Sequence, residues 1–166
     1  SGRLTDLIER LNLPGFAYFA WDARGNGNSE GPRDFADSFS VYVKDADFFV
    51  RHLSREYAIP VRNMSVIANS LGGVTAATWV HDYAPPIRAL ALAAPAFRIK
   101  LYVPFAISFL RLAMAMGMMK QITSYVKAGV LTHDEEEQER FRRDEKITHS
   151  ISTNILIDAH DTATRI

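Results

Sequence analysis

The chain has 166 residues, the span of one ordinary domain, and 48% of them are apolar, enough for a real core. Lysine plus arginine and aspartate plus glutamate each number 19, so the formal net charge is zero and nothing suggests the basic face of a nucleic-acid binder. The lack of cysteine removes disulfides, thiolate catalysis and cysteine-ligated zinc together, and fits a reducing, cytoplasmic setting.

The opening SGRLTDLIERL has no basic segment leading into an apolar run, so no signal peptide is expected; it also lacks an initiator methionine, as if the chain were cut or processed there. Residues 3–12 carry Leu4, Leu7, Ile8 and Leu11 on one helical face, and Asn12-Leu13-Pro14-Gly15 breaks the pattern. Phe16 to Trp21 is a short continuous apolar run, as expected of a strand buried on both faces. Asp22 to Pro32, dense in glycine and polar residues, must be loop. Helical spacing returns over 38–57, with Val41, Val43, Phe48, Phe49, Val50 and Leu53 supplying the apolar face. Met64–Ala68 is a second strand candidate, Leu71–Tyr83 a helix stopped by Pro85-Pro86, and Ile87–Ala94 a third strand ended by Pro95. The alternation predicts an α/β fold with a parallel sheet covered by helices.

Beyond Pro95 no strand is evident. Leu101–Met119 is very apolar, but Pro104, Ser108 and Arg111 interrupt it, and a mid-segment arginine is costly in a bilayer. A helix that covers a cleft or touches a lipid surface fits better. His133 to Lys146 is a run of mixed charge, read as a solvated helix face.

Ile67-Ala68-Asn69-Ser70-Leu71-Gly72-Gly73 places a small-x-Ser-x-Gly sequence between a strand pattern and a helix pattern, the context of a nucleophile elbow. At so sharp a turn the residues two before and two after the serine are expected to crowd each other, and they are Ala68 and Gly72, with Gly73 adding room. Ser70 would be the nucleophile, and the backbone N–H of Leu71, at the positive end of the following helix, one oxyanion donor. The bland alternative makes Ser70 an ordinary helix N-cap. The motif alone leaves the two level.

The surrounding sequence adds a resemblance. WDARGNGNSEG (Trp21 to Gly31) resembles the D-x-R-G-H-G-x-S loop of α/β-hydrolases of the monoglyceride lipase and lysophospholipase type. WVHDYAPPIRALALAAPAF (Trp79 to Phe97), KLYVPFA (Lys100 to Ala106), SYVKAGVLTHD (Ser124 to Asp134) and DTATRI (Asp161 to Ile166) continue the likeness to a bacterial branch, sometimes joined to a methyltransferase domain. Asn26 stands where the family usually has a histidine that is structural in the loop. The resemblance implies a partial hydrolase core over 1–96 carrying the elbow, and a helical cap over 97–166 whose Met-rich Leu112–Met119 surface would either suit an acyl chain or simply pack within the cap.

In this family the acid and the histidine base follow the cap, and a His-Gly loop with the second oxyanion donor precedes the first strand seen here, so the chain reads as a middle slice of a hydrolase. His52, His81, His133, His149 and His160 are taken as surface or structural residues, with His160-Asp161 the best substitute for the absent base. His81 lies about 16 Å from Ser70 along the helix. No metal or cofactor is expected: there is no H-E-x-x-H and no carboxylate loop, and Gly25 to Gly31 lacks the lysine and spacing of a P-loop.

The expected function is hydrolysis of lipid-like or small acyl esters, the alternative a non-catalytic binding or interaction module. Candidate partners are a small-molecule acyl ester, a lipid or inner-membrane surface met through residues 101–119, and a second copy of the chain covering open sheet edges.

Overall fold

The computed structural model describes residues 5–33, 35–98, 105–118, 121–123, 128–144 and 150–166. Its first helix, α1 (Thr5–Leu11), falls inside the expected 3–12 segment; Leu4 lies outside the described residues. The apolar run Phe16–Trp21 is not a strand. It is irregular, and no described strand pairs with it. Phe16, Phe19 and Trp21 are partly exposed; Phe19 rests on Tyr57, which caps the next helix, and Trp21 on Phe49 within it, with ring centroids 4.7 and 4.5 Å apart. An apolar run with strand propensity becomes a strand only where a partner ladder takes its N–H and C=O groups.

Helix α2 (Phe39–Glu56) buries Phe39, Tyr42, Val43, Ala46, Val50 and Leu53, a stripe at spacings of three and four. Val41 and Phe48, expected on that face, lie off the stripe, and Phe48 is 66% exposed. The helix starts without a side-chain cap of its own; the Phe39 N–H donates instead to Asp158, 119 positions away. A 3₁₀ turn (Val61–Asn63) leads into β1 (Ser65–Asn69), followed by α3 (Leu71–Tyr83) and β2 (Ala89–Ala93). The two strands pair in parallel, Ser65 opposite Ala89 through Asn69 opposite Ala93, as the alternating pattern predicts. One face of this ladder packs inward through Val66, while Ile67 on the other is 47% exposed.

Alanine is a weak strand former, and β2 owes its conformation to the β1 ladder rather than to propensity. Helix α3 is apolar nearly all round and carries the largest fully buried side chain among the described residues, Trp79. Its two buried threonines turn their hydroxyls back onto the helix, Thr75 Oγ1 to Leu71 O at 3.1 Å and Thr78 Oγ1 to Val74 O at 2.8 Å, so neither is left unsatisfied. The Trp79 indole N–H donates to Asp47 of α2, which also holds Arg51.

After β2 come α4 (Ala106–Ala115), β3 (Gln121–Thr123), α5 (Ala128–Leu131), α6 (Glu135–Arg143), β4 (Ser150–Ser152) and α7 (Thr153–Arg165). The sequence showed no strand here, yet β3 and β4 form a short antiparallel pair. At three residues each they are too short to leave a period. The charge run folds as α6, begun by Asp134 accepting from the Glu136 and Glu137 N–H groups, with glutamates in its first turn and arginines in its last, the order its dipole favours. Ile155 and Ala159 of α7 join the same buried cluster as Phe39, Val74 and Trp79. Among the described residues no helix is long and apolar enough to cross a membrane.

Helix α7 is tied to its neighbours at both ends. Asn154 donates to Ala36 O and Asp37 O ahead of α2, and Arg165 makes a bidentate pair with Asp82 at the end of α3, both bonds 2.8 Å. The Arg165 hydrogen bond, joined by that of His81, holds the Asp82 carboxyl well below the usual carboxylate range. A depressed folded-state pKa contributes stability above the unfolded value that is lost as pH falls toward the folded one. Asp82→Asn should therefore flatten the acid limb of the melting temperature against pH below about pH 4. Truncating the fully buried Trp79 to alanine should cost about 3–5 kcal/mol in urea unfolding.

Candidate active site

Ser70 sits where β1 ends and α3 begins, at the carboxyl end of a parallel strand, which is the side where open α/β sheets bind ligands. Its backbone is at φ 53°, ψ −123°, a region that L-residues seldom occupy. An N-cap residue has extended backbone and turns its side-chain oxygen onto the N–H groups of the first turn. Ser70 does neither: it makes no side-chain cap bond. Its side chain is exposed, and its hydroxyl has no hydrogen-bond partner among the described residues.

Both backbone groups of Ser70 itself are used. Ser70 N–H donates to Ala93 O at 3.1 Å, extending the ladder by one bond, and Ser70 O accepts from Gly73, Val74 and Ala96 at 3.0, 3.4 and 3.1 Å. The Leu71 N–H, first in the helix, has no such partner among the described residues and lies at the positive end of α3. An exposed hydroxyl and an unused N–H on adjacent residues at a helix start form a place where a developing negative charge would be stabilised.

The crowding expected at Gly72 falls elsewhere. A Cβ on Gly72 would meet nothing within 4 Å among the described residues, whereas one on Gly73 would stand 2.8 Å from Pro95 Cβ and 3.0 Å from Pro95 Cα. Gly72 faces outward from the helix, and Gly73 faces the turn by which β2 leaves the sheet. That turn, Ala93 to Ala96, is the part of the site that sequence reasoning missed. Pro95 read only as the end of a strand.

The glycine loop after Phe16–Trp21 is closed on itself. Asp22 accepts from the Asn28 N–H, its carbonyl accepts from Ser29 Oγ, and the Gly25 N–H donates to Glu30 O. Gly27, at φ 54°, has no room for a Cβ, which would stand 2.3 Å from the Asp22 carboxyl carbon. Asn26, in the place of the family histidine, donates to Arg24 O, a bond within the loop.

None of the described histidines hydrogen-bonds Ser70. His81 pairs with Asp82 at the far end of α3, His52 stacks on Phe48, and His133 precedes α6. His160 lies in α7 with its Nδ1 buried and unpartnered, beside Asp161, which is taken by Arg111. His149 lies outside the described residues. No group of three or more His, Asp or Glu among the described residues could hold a metal ion.

The model of the Hydrolase_4 family, described as serine aminopeptidase S33, matches residues 1–166. The chain belongs to this family of α/β-hydrolases. It is 46% identical over 166 residues to "Uncharacterized protein YnbC" of Escherichia coli (strain K12), covering all of this chain and 28% of that protein. Among solved structures, a Paleococcus ferrophilus monoacylglycerol lipase superposes with a TM-score of 0.81 at 24% identity, over 99% of this chain and 62% of the lipase. DcsB, solved with a substrate analogue, superposes with a TM-score of 0.63 at 14% identity, over 98% of this chain and 60% of its own. Such identities establish the α/β-hydrolase fold, and the chain spans less than two thirds of each of these relatives.

The two roles weighed for Ser70 differ in what its hydroxyl contributes to folding. A capping serine loses about 1 kcal/mol on replacement by alanine. With no capping bond to lose, Ser70→Ala should change the unfolding free energy by less than about 0.5 kcal/mol. A loss above about 1 kcal/mol in chemical denaturation would return Ser70 to the capping role.

Proposed function

We propose that this chain carries the nucleophile of a serine ester hydrolase acting on lipid-like or small acyl esters, of the lysophospholipase or monoacylglycerol lipase kind. One observation carries the proposal: Ser70 is held in a strained conformation between a parallel strand and a helix, with its hydroxyl exposed and uncommitted. Strain of this kind persists where the surrounding structure over-determines it, and it clusters at active sites.

In this mechanism Ser70 Oγ attacks the ester carbonyl while a histidine outside the described residues takes its proton. The carbonyl oxygen becomes an oxyanion and is met by the Leu71 N–H and a second donor. The tetrahedral intermediate collapses with loss of the alcohol, which receives the proton from the histidine. Water activated by the same base then hydrolyses the acyl-enzyme, releasing the acid and freeing Ser70.

The lipid preference is supported by α4, which we place in a cap over the site. Phe105, Phe109, Leu112 and Met116 recur at spacings of four, three and four, and all are exposed; Leu110 and Ala113 on the other side are buried. Scattered apolar residues on a surface need no explanation, but a continuous helical stripe does. An acyl chain or a lipid surface would cover it.

In the intact protein, Ser70→Ala should abolish labelling by a fluorophosphonate and lower turnover of a short acyl ester by at least about a thousandfold. Equal labelling of the wild type and the variant would place the nucleophile elsewhere. A wild type that neither labels nor turns over esters would favour an interaction module.

A further inference from the structure

The strained turn at Ser70 is braced by a second strained turn. Where β2 leaves the sheet, Ala94 takes φ 43°, so two neighbouring parallel strands each end in a non-glycine residue with left-handed φ. The two ends are joined on both peptide groups of Ser70. Its N–H donates to Ala93 O, and its carbonyl accepts from the Ala96 N–H, each at 3.1 Å. Between these bonds Pro95 lies against the bare Gly73 Cα, at a distance that admits no Cβ.

We infer that the Ala93–Ala96 turn positions Ser70, with Pro95 as the spacer that sets how closely α3 approaches the end of β2. The inference rests on Ser70 being the nucleophile. The bonds from Ala93 and Ala96 set the orientation of the Ser70 peptide groups on either side of its Cα, and hence the direction of the Cα–Cβ bond. The contact between Pro95 and Gly73 sets where the first turn of α3, and with it the Leu71 N–H, stands relative to Oγ. A disfavoured φ, ψ pair is kept only while such neighbours over-determine it. Ala94, with its own positive φ, stiffens the turn that does so.

Variants of this turn separate positioning from mere support. Glycine adopts φ 43° without the strain alanine carries there, so Ala94→Gly should keep the melting temperature while loosening the turn. In the intact protein it should lower kcat for a p-nitrophenyl short-acyl ester, and the rate of fluorophosphonate labelling, by about tenfold with KM unchanged. Gly73→Ala forces Pro95 away from α3 and should lower both rates by about tenfold or more. Adding Pro95→Gly to Gly73→Ala removes the nearer of the two contacts, the one to Pro95 Cβ, leaves the 3.0 Å approach to Cα, and should restore part of the loss.

A wild-type rate in Ala94→Gly would overturn the inference, and that variant decides the matter even if Gly73→Ala fails to fold. Losses of rate that track losses of melting temperature, with no rescue by Pro95→Gly, would also overturn it by making the turn a structural support. A wild-type protein that does not label at Ser70 removes the nucleophile reading itself, and the inference with it.

Discussion

One residue held in a backbone conformation it would not choose organises the rest of the molecule. Ser70 at φ 53°, ψ −123° is costly for a residue with a Cβ, and the conformation survives because its own N–H and carbonyl are both engaged by the exit of β2 and the first turn of α3. Its carbonyl alone gathers three N–H groups, two from α3 and one from the exit of β2. Among the groups without a partner in the described residues are the hydroxyl and the Leu71 N–H, two of the groups that acyl transfer to serine uses. The geometry separates the groups that hold the turn from the groups left for chemistry.

The turn is rigid because the elements it joins are anchored on their inner side. Helices α2, α3 and α7 share one buried cluster, and the polar ties between them are long-range: Asp158 to the start of α2, Asn154 to the residues before it, Asp47 to Trp79, and Arg165 to Asp82. These directional bonds, part-buried except for the exposed Arg165–Asp82 pair, favour one arrangement of apolar surfaces that could otherwise slide. The other side of the β1–β2 ladder, where Ile67 is half exposed, has no comparable cover among the described residues. The chain spans 62% of the lipase whose fold it shares, and α/β sheets of this class are covered on both faces.

Long periodic segments were legible because their pattern is dictated by which side is buried. Helix α3 and the parallel pairing of Met64–Ala68 with Ile87–Ala94 emerged within a residue or two. Phe16–Trp21 did not, because a strand is a relation between two segments, and its composition says nothing about whether a partner ladder is present. Phe48 misled for a related reason. Aromatic residues count toward any apolar face within reach, and only the positions of α3 and α7 decide which arc of α2 is covered. β3 and β4 were too short to carry a period.

The sequence by itself determined that a serine stands between a strand and a helix in a run of small residues, and its resemblances pointed to the α/β-hydrolase family. These follow from local order: a strand, a turn and a helix leave their periods and breakers in consecutive residues. Only the tertiary structure decided that Ser70 does not cap its helix, that the close approach is at Gly73 rather than Gly72, and that the brace comes from Ala93–Ala96, more than twenty positions downstream. Those depend on where β2 ends relative to the start of α3. Two strands distant in sequence settle that only when they pair.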